Sequence, residues 1–233
     1  MINKGSDKYT YASVLCNAPS VVVDKAGVML NTGGVKADYV QFKQNGSVKY
    51  TFYNVASGQK LTVLNGIYDI TIVKASMSMQ LKGVVCLGDA AEKDVGTKTL
   101  TFSFPGIKAD YVQLKQNNAV VYTVYNPQDN ATFTVFDNDD EYTAVAVKGG
   151  MSSNPGIGKA GKTITLKTNT ITVSFPGIKA DYVQLKQNGA LVYTVYNPQD
   201  NAEFKVFDND VEYTAVAVKG GIAATPEPAK RAK

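Results

Sequence analysis

The chain has 233 residues, a net charge of +4, two cysteines and neither histidine nor tryptophan. Histidine-dependent triads, imidazole acid–base chemistry and histidine metal sites are thereby excluded, and two cysteines cannot build a Cys₄ zinc site. Residues 97–150 and 168–221 each carry four lysines against six acids, so neither segment has the clustered basic face of a nucleic-acid binder.

Taken from the N-terminus, Met1 to Lys8 is polar and is not followed by the apolar stretch of a secretory signal. No segment approaches the roughly 20 apolar residues that span a bilayer. The expectation is a protein made in a cytoplasm, with no membrane partner and no anchor of its own. Cys16 and Cys86 both sit in short apolar runs. Two readings stay open for them, reduced buried thiols or a mutual disulfide.

Repetition dominates the rest of the chain. Residues 97–150 and 168–221 align without gaps at an offset of 71 and differ at eight positions, among them Phe102/Val173, Asn118/Gly189 and Asp140/Val211. A diverged copy occupies roughly residues 20–76, where Lys36 to Gly46 matches Lys108 to Asn118 and Lys179 to Gly189.

Each copy reads as short strands. In the third, Thr163 to Lys167 is expected as a leading strand, Thr170 to Phe175 alternates up to Pro176-Gly177, and Tyr182 to Lys186 alternates again. Asn188-Gly189 separates that run from Leu191 to Tyr196, a strong hairpin signal because both turn residues tolerate positive φ. Asn45-Gly46 repeats the signal in the first copy. Phe204 to Phe207 and Glu212 to Val218 complete the set. The prediction is an all-β chain of three tandem immunoglobulin-like β-sandwich domains: 1–78 (extension plus diverged copy), 79–150, 151–222 and a tail at 223–233.

Candidate sites are few. The turns around Asp137, Asp139, Asp208 and Asp210 could offer oxygens to Ca²⁺, but tight turns whose Asx side chains bond the local backbone are the favoured reading, and no metal or other cofactor is expected. Tyrosines recur at 39/111/182, 50/122/193 and 53/125/196. Period-two geometry puts Tyr193 and Tyr196 on opposite faces, so one of them belongs to the core. Gln113/Gln184 and Lys115/Lys186 read as a solvated strand face. No nucleophile–base pair can be named, and near-identical tandem copies argue against a unique active site, so no enzyme is expected.

Asp210-Val211-Glu212-Tyr213-Thr214-Ala215 resembles the entry to strand F of immunoglobulin-like domains. The resemblance implies tyrosine corners at Tyr68, Tyr142 and Tyr213, with Ile70, Ala144 and Ala215 where antibody domains have cysteine. The tandem organisation is similar to that of the immunoglobulin-like decoration proteins of tailed-phage capsids, the highly immunogenic outer capsid protein class. That resemblance implies a structural role on the virion surface, with the major capsid protein as partner and the diverged first copy as anchor. It also implies a weak glycan or cell-surface ligand for the projecting copies. A tail or neck component, or a carbohydrate-binding adhesin module, is the alternative.

Overall fold

This computed structural model describes residues 2–4, 7–10, 24–88 and 91–228. Among the described residues all regular structure is β, and the chain divides into two compact units: Met1–Lys98 with Thr134–Asn138, and Thr99–Phe133 with Asp139–Lys233. A short antiparallel hairpin, β1 (Ile2–Lys4) and β2 (Asp7–Thr10), comes first.

The first copy runs through β3 (Lys25–Asn31), β4 (Ala37–Gln44), β5 (Ser47–Val55), β6 (Lys60–Leu64), β7 (Gly66–Lys74), β8 (Met77–Cys86) and β9 (Ala91–Asp94). They form two sheets, ordered β6-β3-β9 and β5-β4-β7-β8. Alternation drives the layering. Val28 and Leu30 from one sheet, and Val40, Phe42, Ile70 and Ile72 from the other, are fully buried between them.

The second copy repeats this plan with β10 (Thr97–Ser103), β11 (Tyr111–Gln116), β12 (Ala119–Tyr125), β13 (Ala131–Phe136), β14 (Glu141–Lys148), β15 (Met151–Ser152), β16 (Gly156–Lys159) and β17 (Thr163–Thr165). Its sheets are ordered β13-β10-β17 and β12-β11-β14-β15, with β16 also on β14. The third contains β18 (Thr168–Val173), β19 (Tyr182–Gln187), β20 (Ala190–Tyr196), β21 (Ala202–Phe207), β22 (Tyr213–Lys219), β23 (Ile222–Ala223) and β24 (Glu227–Pro228). Here the larger sheet recurs as β20-β19-β22-β23, with β24 on β22, while the smaller is the pair β18-β21.

The hairpins carry the expected turn chemistry. Asn45-Gly46 and Asn188-Gly189 have φ of 48°/75° and 49°/78°, joining Gln44 to Ser47 and Gln187 to Ala190. Positive φ at both central residues matches the turn to the right-handed twist of the strands. The second copy holds the same turn with Asn117-Asn118, at 49° and 63°. Just beyond it every copy has a bulge, between Phe42/Lys43, Leu114/Lys115 and Leu185/Lys186.

One expectation is overturned. Thr163 to Thr165 does not lead the third copy but lies parallel to β10, with Phe102 opposite Ile164. Likewise β9 lies parallel to β3, with Leu30 opposite Lys93. Both connectors close the preceding copy, so the sheets divide between Asp94 and Thr97 and between Thr165 and Thr168, not at 78/79 and 150/151. The reason is geometric. A parallel partner needs a crossover, and Gly156 and Gly158 let Ile164 and Leu166 approach so closely that a Cβ at Gly156 would meet Ile164 Cγ2 at 2.5 Å.

Candidate functional site

The outer face of the larger sheet bears the same cluster three times. Along β4, Val40 and Phe42 turn inward, which sets Tyr39, Gln41 and Lys43 outward. Register then places Tyr53 and Thr51 of β5 on one side of Tyr39 and Gln41, and Val73 and Thr71 of β7 on the other. The second copy repeats this with Tyr111, Gln113, Tyr125 and Thr123, the third with Tyr182, Gln184, Tyr196 and Thr194.

Within each pair the rings lie close and tilted: centroids are 6.5 Å apart in Tyr39–Tyr53, 6.0 Å in Tyr111–Tyr125 and 5.9 Å in Tyr182–Tyr196. The edge-strand member is open to solvent, at 71% for Tyr53 and 72% for Tyr125 and Tyr196. Tyr50, Tyr122 and Tyr193, from the other period-two set, are half-buried. Tyr193 has its hydroxyl bonded to the Lys205 carbonyl at 2.7 Å, and burial followed by the negative charge of Asp110 pushes it up to about 12.

An aspartate fixes one end of each cluster. Asp38 accepts from Lys74 Nζ at 2.8 Å and from the Ala75 amide at 2.7 Å. Asp110 accepts from Lys148 Nζ at 2.9 Å and the Gly149 amide at 2.7 Å, and Asp181 from Lys219 Nζ at 3.2 Å and the Gly220 amide at 2.6 Å. The lysine bond holds Asp38 and Asp110 below the ordinary carboxylate value, and the Gly220 amide does the same first for Asp181. Each clamp ties the tight turn after β7, β14 or β22 to the strand that carries the inner tyrosine. The product is a rigid tile of two phenol rings with an amide and a hydroxyl in the next rung. Such a tile can stack on an apolar ring face and hydrogen-bond groups at its rim.

The other expected residues are placed as follows. Tyr68 donates its hydroxyl to the Leu64 carbonyl at 3.0 Å. Tyr213 donates to the Phe207 carbonyl at 3.3 Å and also reaches Met151 Sδ. Among the described residues the buried Tyr142 hydroxyl has no hydrogen-bond partner. Ile70, Ala144 and Ala215 are buried.

Asp137 forms an ion pair with Lys98 at 2.9 Å, and Asp139 is exposed. Asp208 and Asp210 line a cavity of about 380 Å³ with Asn154 and Lys167. Among the described residues no three His, Cys, Asp or Glu side chains gather as a metal site. Cys86 is a buried free thiol that desolvation pushes up, and Cys16 lies outside the described residues.

Sequence reasoning missed one feature of the first copy. Ile67 and Val85 face each other across β7 and β8, and with Leu87 they are 61%, 47% and 61% exposed. The second copy has Glu141 opposite Lys159 at that rung. The signal was the replacement of a charged pair by an apolar one, legible only once register is known.

No protein-family model matches the chain, and no curated protein matches it. Among solved structures it is similar to the Bacillus anthracis TIE protein, at 11% identity and a TM-score of 0.24, over 91% of this chain and 48% of that one. The chain thus spans about half the length of that structure, and a likeness of this size carries no functional argument.

Proposed function

We propose that this chain is a non-catalytic display protein, held to a larger assembly by its first copy and presenting the tyrosine tiles of its repeated copies. The observation that carries the reading is the division of surface chemistry among the copies. The tile recurs in all three, whereas the exposed apolar Ile67–Val85–Leu87 patch belongs to the first and is replaced by Glu141–Lys159 in the second. A fixed partner needs one fitted apolar contact. A surface that works by repetition gains avidity from copies that need not differ.

The assembly that suits this plan is the capsid of a tailed phage, the class the tandem organisation resembles, with the major capsid protein as partner and the virion surface as location. Glycans of the host surface or the environment suit the tiles as weak ligands. The second reading, a tail component or carbohydrate-binding adhesin module, rests on the same tyrosine, glutamine and threonine rows.

The test is co-sedimentation with undecorated phage heads. Saturable binding is expected for the full chain and is lost in the double variant Ile67→Glu/Val85→Lys, which copies a pair the second copy already tolerates. Absence of binding by the full chain sinks the capsid reading. Unchanged binding by the double variant sinks the anchor assignment.

A further inference from the structure

The row that carries each tile runs on for one more rung, and there the copies part. Along β11 the outward side chains are Tyr111, Gln113 and Lys115, and along β19 they are Tyr182, Gln184 and Lys186. Register sets Lys115 between Val120 of β12 and Thr143 of β14, and Lys186 between Leu191 of β20 and Thr214 of β22. Val120 and Leu191 are 43% and 49% exposed, so an open apolar side chain flanks each lysine.

In the first copy the same rung places Lys43 opposite Asp69 of β7. Opposite charges directly across a ladder offset each other. Asp69 is fixed there, its Oδ1 accepting from the Gly83 amide at 2.9 Å. Threonine, not an acid, stands across from Lys115 and Lys186, and among the described residues neither lysine forms an ion pair. The other charges near the second row are matched: Asp110 pairs with Lys148, and Glu141 stands opposite Lys159. In the third copy Glu212 holds the place of Glu141, so Lys115 is the less opposed of the two ammonium groups.

The three rungs therefore offer different chemistry in a fixed order: two phenol rings, an amide with a hydroxyl, and an ammonium. About 13 Å of strand separates Tyr111 from Lys115. A ligand that uses the whole row has an apolar ring face, hydroxyls beside it and an anionic group farther along. A neutral sugar would engage the first two rungs and leave the third idle. Each segment carries four lysines against six acids, which disfavours a densely charged chain such as nucleic acid and admits one with sparse carboxylates.

We infer that the tiles of the second and third copies take acidic oligosaccharides, with a pyranose ring stacked on the tyrosine pair and the carboxylate of a later sugar at Lys115 or Lys186. The first-copy tile, with Asp69 across from its lysine, does not discriminate in this way. This inference rests on the reading of the tiles as glycan sites and names the class of glycan.

The test applies the full chain to an array of hexuronic- and sialic-acid oligosaccharides, each printed beside its carboxyl methyl ester, and follows the tightest acid by calorimetric titration. The expected result is a preference of about fivefold for acid over ester at low ionic strength. It is lost at about 1 M salt, where the Debye length falls to about 3 Å. The double variant Lys115→Gln/Lys186→Gln abolishes the preference and leaves binding of the ester unchanged, with Lys115→Gln alone costing more than Lys186→Gln alone. Asp69→Asn keeps an acceptor for the Gly83 amide while removing the charge, and it is expected to add a third acid-preferring site to the two of the unmodified chain. Equal binding of acid and ester, or a preference that survives in the double lysine variant, overturns the inference and leaves the glycan reading intact. Failure to bind any sugar, in a chain that still decorates phage heads, overturns the inference and the glycan reading together and leaves the display role standing.

Discussion

Asn209 Nδ2 donates to the backbone carbonyl of Ser152 at 2.6 Å, stitching the turn after β21 to the hairpin that precedes β16. Its Oδ1 accepts from Gln187 Nε2 at 3.2 Å and lies 3.3 Å from the Tyr213 hydroxyl, and the residue is 4% exposed. The bond recurs between Asn138 and Ser78 at 3.0 Å, at an exposed site. Asn209→Ala leaves buried polar groups without partners and is expected to cost about 1–3 kcal/mol. Asn138→Ala, where water replaces the lost partner, should cost less than about 1 kcal/mol. Chemical denaturation of both variants checks this, and equal losses would contradict the difference in burial.

Tyr142 and Tyr68 occupy equivalent corners with opposite hydrogen-bond states. Tyr142→Phe removes a buried hydroxyl that has no partner among the described residues and is expected to be neutral or stabilising. Tyr68→Phe removes the bond to Leu64 and should cost about 1 kcal/mol. Thermal melts of the pair decide the point; a larger loss at Tyr142 would refute it.

Alkaline sensitivity follows from the same burial. Desolvation raises Tyr68, Tyr142 and Tyr193 above 10, the last to about 12. The folded state therefore prefers the neutral phenol. Its stabilisation is complete below pH 10 and is lost as pH rises from there through the folded values. Unfolding followed from pH 9 to 12 should show stability falling, with phenolate absorbance appearing together with loss of structure.

The aspartate clamps act at the other end of the scale. Asp38, Asp110 and Asp181 lie below 3.8 in the folded state, so their contribution is present above that pH and is lost as pH falls through the lowered values. Asp110→Asn keeps the side-chain size and removes the charge, so its stability should stay flatter below pH 4 than that of the unmodified chain. An unchanged acid profile would deny the clamp a role.

At the second hairpin, Asn118 holds φ of 63° where the other copies have glycine. Asn118→Gly removes a small backbone strain and should raise stability by a few tenths of a kcal/mol, while Gly189→Ala at φ of 78° should lower it by about 1 kcal/mol. Denaturation midpoints separate the two signs.

Much of this fold is legible before any coordinates. The 71-residue repeat, the period-two alternation of Tyr182 to Lys186 and the Asn-Gly turn each act over a few residues, and the strands formed where they indicated. The Tyr193/Tyr196 division also followed from alternation alone, although which face was core did not. The tile itself was missed, because Tyr182 and Tyr196 become neighbours only through strand register.

What the sequence determined by itself is the β character, the copy number and the hairpin chemistry, since these depend on local backbone preference and on side-chain period. What only the tertiary structure decided is which copy each connector serves. Thr163 to Thr165 has no local signal that prefers β10 to β18. The choice is made by a distant open edge and by the space that Gly156 and Gly158 leave for Ile164, and pairing at that distance is written in packing, not in any window of residues.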